Sequence, residues 1–343
     1  MQGAHSAPRF RPVVRATGGL IVLGIIVAAY GIHAAMGREA AFSWIAGAVF
    51  GWVLQRTRFC FLCNFRDFFE RREPRGVLAI LLALGVGLIG YHVVTGAWIV
   101  DPFAGHIPPK AHITPAGWNL VLGGLAFGLG MGVSGSCISA HFYRLGEGSL
   151  VCLFALIGST LGFLAGFLTW NPLYLALVSA KPVVWLPGKF GFGGALLLQL
   201  AALGFIVWAV GRRTASSPAQ APGNPAESTL RKILFNRWPA WVGGLIVGLL
   251  AAAVLLRTEP LGVTSELSRL ARFLGNHFAL LPERMEGLDT IRGCASGPGE
   301  GLFSRGFLFV CALLFGSLGS ALLAGEFEFE WPSPSGAFLA LLG

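Results

Sequence analysis

Eight windows free of charged side chains run through the chain, at residues 17–36, 40–55, 76–100, 111–143, 148–180, 190–211, 239–256 and 306–325. Crossing about 30 Å of hydrocarbon takes roughly 20 helical residues, and most of these windows reach or approach that length. Backbone groups in hydrocarbon have no water to pair with, so apolar runs of this kind predict helices that satisfy their own peptides. The windows 111–143 and 148–180 hold 33 residues each. Both are too long for one straight span, and their internal Gly or Pro clusters predict a span plus a shorter interfacial or re-entrant piece. The 16-residue window 40–55 predicts a half-membrane helix.

Composition agrees. Only 12% of the 343 residues are charged and mean hydropathy is +0.70, against about one-quarter charged in a typical soluble chain, which excludes a water-soluble enzyme. The 49 glycines suggest close helix packing and broken helices. Net charge is +9, but the basic residues fall between apolar runs, where they orient a chain in the bilayer; no basic stripe interleaved with aromatics points to nucleic acid. Lys and Arg concentrate before residue 16, in 56–75 and in 212–238, which predicts that these three segments are cytoplasmic. The balanced segment 257–305 fits that alternation poorly and suggests re-entrant or interfacial structure. The first apolar run lacks a small-residue cleavage site after it and reads as a retained span. No cofactor motif occurs, and Cys60-x-x-Cys63 lacks the partners of a zinc site.

A Pro-, Ala-, Ser- and Gly-rich stretch, 212–238, divides a first membrane half (1–211) from a second (239–343). The halves echo one another: Trp44, Gly47 and Gly51 before Arg56-Thr57 recur as Trp241, Gly244 and Gly248 before Arg257-Thr258. Duplication of this kind builds many transporters, with the substrate site at the repeat interface.

Three polar islands interrupt the apolar pattern. Residues 55–67 mix Arg56, Arg58, Cys60, Cys63 and aromatics after a short apolar run, which suits a helix end dipping toward a polar cavity; the arginines equally suit lipid phosphates and topology. Residues 123–137 form a glycine stripe, at 124, 128 and 132, that predicts close backbone approach and ends in Gly135-Ser136-Cys137. Non-helical backbone at membrane depth is tolerated inside protein or beside water, so a broken helix presenting Cys137 to a pore is expected. Residues 287–297 place Cys294 among small residues. Cys152 and Cys311 lie within ordinary apolar spans and read as small hydrophobic fillers. His33, His92 and His141 have no intramembrane carboxylate nearby in sequence, so a proton relay is unsupported.

The blocks at 55–67, 123–149, 260–271 and 287–296 resemble the YeeE/YedE family of bacterial inner-membrane sulfur transporters, in particular its YedE-like branch. The resemblance covers nearly the whole chain and is most specific at Gly135-Ser136-Cys137 and Tyr143-Arg144-Leu145-Gly146-Glu147-Gly148. It implies an all-α integral membrane protein of about eight segments, with re-entrant or broken helices in two pseudo-symmetric halves. It also implies uptake of thiosulfate, or of a related sulfur or selenium compound, through a cysteine-lined pore. Cys60 and Cys137 are then the substrate-contacting thiols, with Arg58, Gly135 and Ser136 beside them and Cys294 a third candidate. Ala140 stands where the family has glycine, and the second-half counterpart of Cys60 falls at Val263-Thr264, without a thiol. The repeat offset places a second glycine motif near residue 343, so the second half reads as short at its C-terminal end.

The expected partners are a small inorganic sulfur anion, membrane lipid and a soluble cytoplasmic sulfur-carrier protein; no cofactor, metal or catalytic residue is expected. Helix N-termini and arginines would attract the anion, while soft, weakly donating thiols would hold its terminal sulfur loosely. Two rival readings use the same residues: a membrane thiol oxidoreductase or sulfurtransferase built on Cys60 and Cys63, and a non-transporting membrane partner.

Overall fold

A computed structural model describes residues 11–105, 113–212, 235–258, 260–282, 284–288 and 304–343. In these residues the chain is a helical bundle with no strand and two isolated bridges. Its helices are α1 (Arg11–Met36), α2 (Arg38–Thr57), α3 (Phe61–Arg71), α4 (Arg75–Trp98), α5 (Trp118–Ser134), α6 (Ile138–Glu147), α7 (Val151–Leu168), α8 (Pro187–Arg212), α9 (Ala240–Arg257), α10 (Val263–His277), α11 (Arg305–Ala324) and α12 (Pro334–Leu342). Seven described helices are long and apolar enough to cross a membrane, and the protein is a multi-pass membrane protein.

The 40–55 window departs from expectation. Helix α2 runs for 20 residues, about 30 Å at 1.5 Å per residue, because Arg38, Glu39, Arg56 and Thr57 extend it beyond the uncharged stretch. Thirteen of its residues are buried, so protein rather than lipid surrounds it and a low hydropathy is tolerated.

Around α2 the glycines act as sockets. A Cβ on Gly47 or Gly51 would strike the carbonyl oxygens of Phe309 and Leu313, and one on Gly316 would strike that of Ala48, so α2 and α11 run parallel with backbones in contact. The repeat does the same: Gly244 meets the Ala79 carbonyl and Gly248 that of Ala83, which sets α9 parallel to α4. The two pairs run in opposite directions. The N–H of Trp238, just before α9, donates to the carbonyl of Arg56 at the end of α2 (3.2 Å), while Thr258 at the far end of α9 shares a pocket with Ser43 near the start of α2. Each glycine-bearing helix is thus locked to a helix from the other half of the chain.

The α5 stripe behaves differently. A Cβ at Gly124, Gly128 or Gly132 would meet nothing within 4 Å among the described residues, so the close approach expected there is found on α2 and α9 instead. The 111–143 window does break as expected: α5 ends at Gly135 and α6 begins at Ile138. Within 148–180, α7 is followed by a helical turn, Trp170–Leu173, and a π-turn, Tyr174–Val178. The amphipathic α10 packs on α7 and α11, and α12 packs on α7 and α5.

Candidate functional site: three thiols between two helix starts

After α2 the chain turns through Arg58, which adopts the left-handed conformation (φ 49°), and Phe59 and Cys60 fold back into the core. The Phe59 N–H returns to the carbonyl of Leu54 (3.2 Å). Cys60 is fully buried and extended, and α3 starts at the next residue. On the other side, Gly135 at φ 81° caps α5 through its N–H to the carbonyl of Met131 (2.9 Å), a geometry that favours glycine. Ser136 and Cys137 are then buried, Cys137 with an extended backbone, and α6 starts at Ile138.

Both cysteines therefore precede the first residue of a helix, and the two helix starts face each other. The Cys60 thiol contacts those of Cys137 and Cys63 and lies near the N–H groups of Cys63 and Cys137. The Cys137 thiol lies near the N–H groups of Phe61 and Ala140. Neither cysteine closes a conventional capping bond, so the first N–H groups of α3 and α6, partial positive charges in a low-dielectric interior, surround three reduced thiols. Cys60 and Cys137, 77 residues apart in the chain, belong to one buried cluster with Phe50, Leu54, Val263 and Phe309.

The remaining expected residues are placed around this centre. Ser136 is buried, and its hydroxyl accepts from Arg144 Nη1 (2.9 Å), whose guanidinium acts electrostatically on Cys60 and Cys63. Arg58 is exposed, and its charge acts on Glu147. Cys294 lies outside the described residues. Cys152 is buried in α7 and Cys311 half-buried in α11. His141, one turn beyond Cys137, is buried with neither ring nitrogen hydrogen-bonded; with Ser134, Ser136 and Ser159 it lines a cavity of about 430 Å³.

Sequence reasoning did not identify the polar network at the end of α2. Gln55, fully buried, donates from Nε2 to Glu147 (3.2 Å) and Glu326 (2.9 Å) and accepts from Ser320 Oγ (2.7 Å). Buried Arg56 donates to the Ser320 carbonyl (3.1 Å), and Arg237 Nε pairs with Glu326 (3.1 Å). The segment after α11 adds backbone bonds, from the N–H of Glu328 to the carbonyl of Glu147 (3.0 Å) and from that of Glu330 to Gly148 (3.1 Å). The network ties α6, and with it Cys137, to α2 and α11. An amide beside an arginine at a helix end was the available signal, but its partners lie 92 and 271 residues away.

A family model described as sulphur transport matches residues 56–343. The thiosulfate transporter TsuA of Escherichia coli is 28% identical over 258 residues, covering 67% of this chain and 66% of the relative. TsuA of Spirochaeta thermophila is 26% identical over 317 residues, covering 84% and 79%. The probable transporter YedE of Salmonella typhimurium is 28% identical over 213 residues, covering 59% of this chain and 50% of the relative.

Proposed function

Because this chain belongs to the sulphur transport family, we propose that it is a bacterial inner-membrane permease that takes up thiosulfate, or a related sulfur or selenium anion, through a pathway lined by Cys60 and Cys137. The observation that carries the reading is the meeting of two helix starts at three reduced thiols, Cys60 and Cys137 buried and Cys63 half-buried. A sulfur oxyanion in hydrocarbon must be compensated, and unpaired N–H groups at helix starts supply partial positive charge without the affinity of a full ion pair. The thiols contribute polarizable, weakly donating contacts to a terminal sulfur, and weak successive sites favour release. Arg144, anchored on Ser136, brings a guanidinium group to the neighbourhood of the thiols.

No catalytic role is assigned to the thiols in this reading. Cys294 is retained as a third contact, a soluble sulfur-carrier protein as the acceptor at the cytoplasmic face, and membrane lipid as the surroundings. Residues 1–211 and 239–343 are taken as the two halves of the permease, joined by 212–238.

The test is growth and labelled-thiosulfate uptake in a bacterial strain lacking other sulfur permeases. The chain should support both, and Cys137→Ala should abolish both at unchanged membrane abundance; uptake unaffected by that change refutes the role of Cys137. A second reading, a dithiol oxidoreductase, draws on the contact between Cys63 and Cys60. It requires Cys63 for activity, whereas transport does not.

A further inference from the structure

The His141 side chain, on α6 one turn beyond Cys137, is only 3% exposed, and neither ring nitrogen closes a hydrogen bond with a described residue. The ring approaches the Ser136 carbonyl short of bonding geometry. It faces the cavity of about 430 Å³ that α5, α6, α7 and α12 enclose. Resting on the transport reading above, we propose that His141 is a substrate-contacting residue, donating an N–H to the sulfur anion as the anion occupies this cavity beside the thiols.

Chemistry is the first argument. A polar group buried without a partner destabilises a fold, and interiors rarely keep one unless a ligand or water completes it. Imidazole suits an ion in transit. In its neutral form either nitrogen can carry the N–H, so the proton can sit on the nitrogen that faces an anion without forming a full ion pair. The serines of the lining are already engaged: Ser134 donates to the Gly130 carbonyl (3.0 Å), Ser159 donates to that of Ala155 (2.8 Å), and Ser136 accepts from Arg144 (2.9 Å). His141 is left as the lining side chain with no bond to any of its polar atoms. The lining side chains include no carboxylate, and the Arg144 charge acts on the ring, so the setting favours an anion over a cation.

Position and shape agree. Met131, Ile138 and Phe163 line the cavity and pack against the buried cluster that holds Cys60 and Cys137, so the chamber borders the thiols. It follows α5 from Gly123 to Ser134, about 16 Å at 1.5 Å per residue, and reaches the break at Gly135. Glycine keeps it open, since a Cβ at Gly123 or Gly162 would meet nothing within 4 Å. The N–H of Ala116, just before α5, donates to the carbonyl of Pro182, beyond the far end of α7 (2.9 Å), whereas α6 leaves the break toward Glu147 and Gln55. The chamber thus lies on the side of the thiols away from the Gln55 network, where, on the transport reading, an anion arriving for uptake is met first.

Uptake kinetics and thermal melting together test the contact. In initial-rate uptake by cells carrying the full chain, His141→Leu should raise the KM for labelled thiosulfate about tenfold, the loss of one charge-assisted contact, with the maximal rate within about twofold of wild type. His141→Gln, which restores an N–H, should recover part of that loss. Because the ring bonds to no described residue, the Tm of the purified His141→Leu chain should equal or exceed that of wild type. An unchanged KM at normal membrane abundance overturns the contact, as does a KM no better in His141→Gln than in His141→Leu, or a Tm that falls together with uptake. If His141→Leu does not accumulate, Gly162→Leu decides: filling the chamber should cut uptake by about tenfold or more at wild-type Tm, and wild-type uptake overturns the site. Absence of uptake by the wild-type chain overturns the transport reading instead. Titration of the purified full chain with thiosulfate, wild type against His141→Leu, then decides the contact: weaker binding in the variant supports it, and equal or absent binding overturns it.

Discussion

The contact of α2 with α11 makes Gly51→Ala the most informative single change. A methyl at Gly51 would overlap the Leu313 carbonyl oxygen and stand 2.8 Å from its carbonyl carbon and 2.9 Å from its Cα. Carbon atoms prefer about 3.5–4.0 Å, so α11 must retreat by nearly 1 Å, because the obstacle is backbone and no side chain can rotate away. That retreat stretches the Ser320–Gln55 hydrogen bond, 2.7 Å, and the Arg56–Ser320 bond, 3.1 Å, one to two turns further along the same interface. Overpacking costs about 1–3 kcal/mol, and one weakened buried bond adds about 1–3 kcal/mol. The better helix propensity of alanine returns about 0.5–1 kcal/mol. The net loss is about 1–5 kcal/mol, a fall in Tm on the order of 2–8 °C. Thermal melting of the detergent-purified full chain, followed by size exclusion, measures it. The control is Gly128→Ala, where a methyl meets nothing within 4 Å and Tm should hold or rise slightly. If Gly51→Ala melts within a degree of wild type, or if the two variants fall equally, the assignment of the tight interface to α2 rather than to α5 is wrong.

Two further outcomes follow from the site. Gln55→Leu removes the amide shared by Glu147, Glu326 and Ser320 and should cost about 2–4 kcal/mol, read as a lower Tm, with uptake lost in proportion to folded protein; a variant as stable as wild type would show that the network does not tie α6 to α2. Cys63→Ser should keep at least about half of wild-type thiosulfate uptake, since Cys63 lies within α3 while Cys60 and Cys137 meet across the two helix starts; loss of uptake as complete as in Cys137→Ala would favour dithiol chemistry.

Much of this protein was readable along one dimension. Charge-free windows determine a membrane bundle because hydrocarbon leaves the backbone no partner but itself, a condition that depends on local composition alone. The break at Gly135 was legible for a similar reason: its cause, a left-handed residue ending α5, is confined to a few adjacent positions. The repeated Trp-Gly-Gly-Arg-Thr pattern was visible too, but its meaning was not. The same Gly-x-x-x-Gly spacing occurs on α2, on α9 and on α5, yet only the first two meet a carbonyl from another helix, because which backbone fills a socket is set by the path of the whole chain.

The site divides in the same way. Cys60 and Cys137 stand out as thiols beside polar islands, and spacing alone could nominate each one. Their contact and the placing of Glu147 and Glu326 on Gln55 depend on residues 77 to 271 positions apart. Sequence determines which groups are soft, charged or able to break a helix; the fold alone decides which of them share a few ångströms, since only the closing of long loops brings two helix starts to one point.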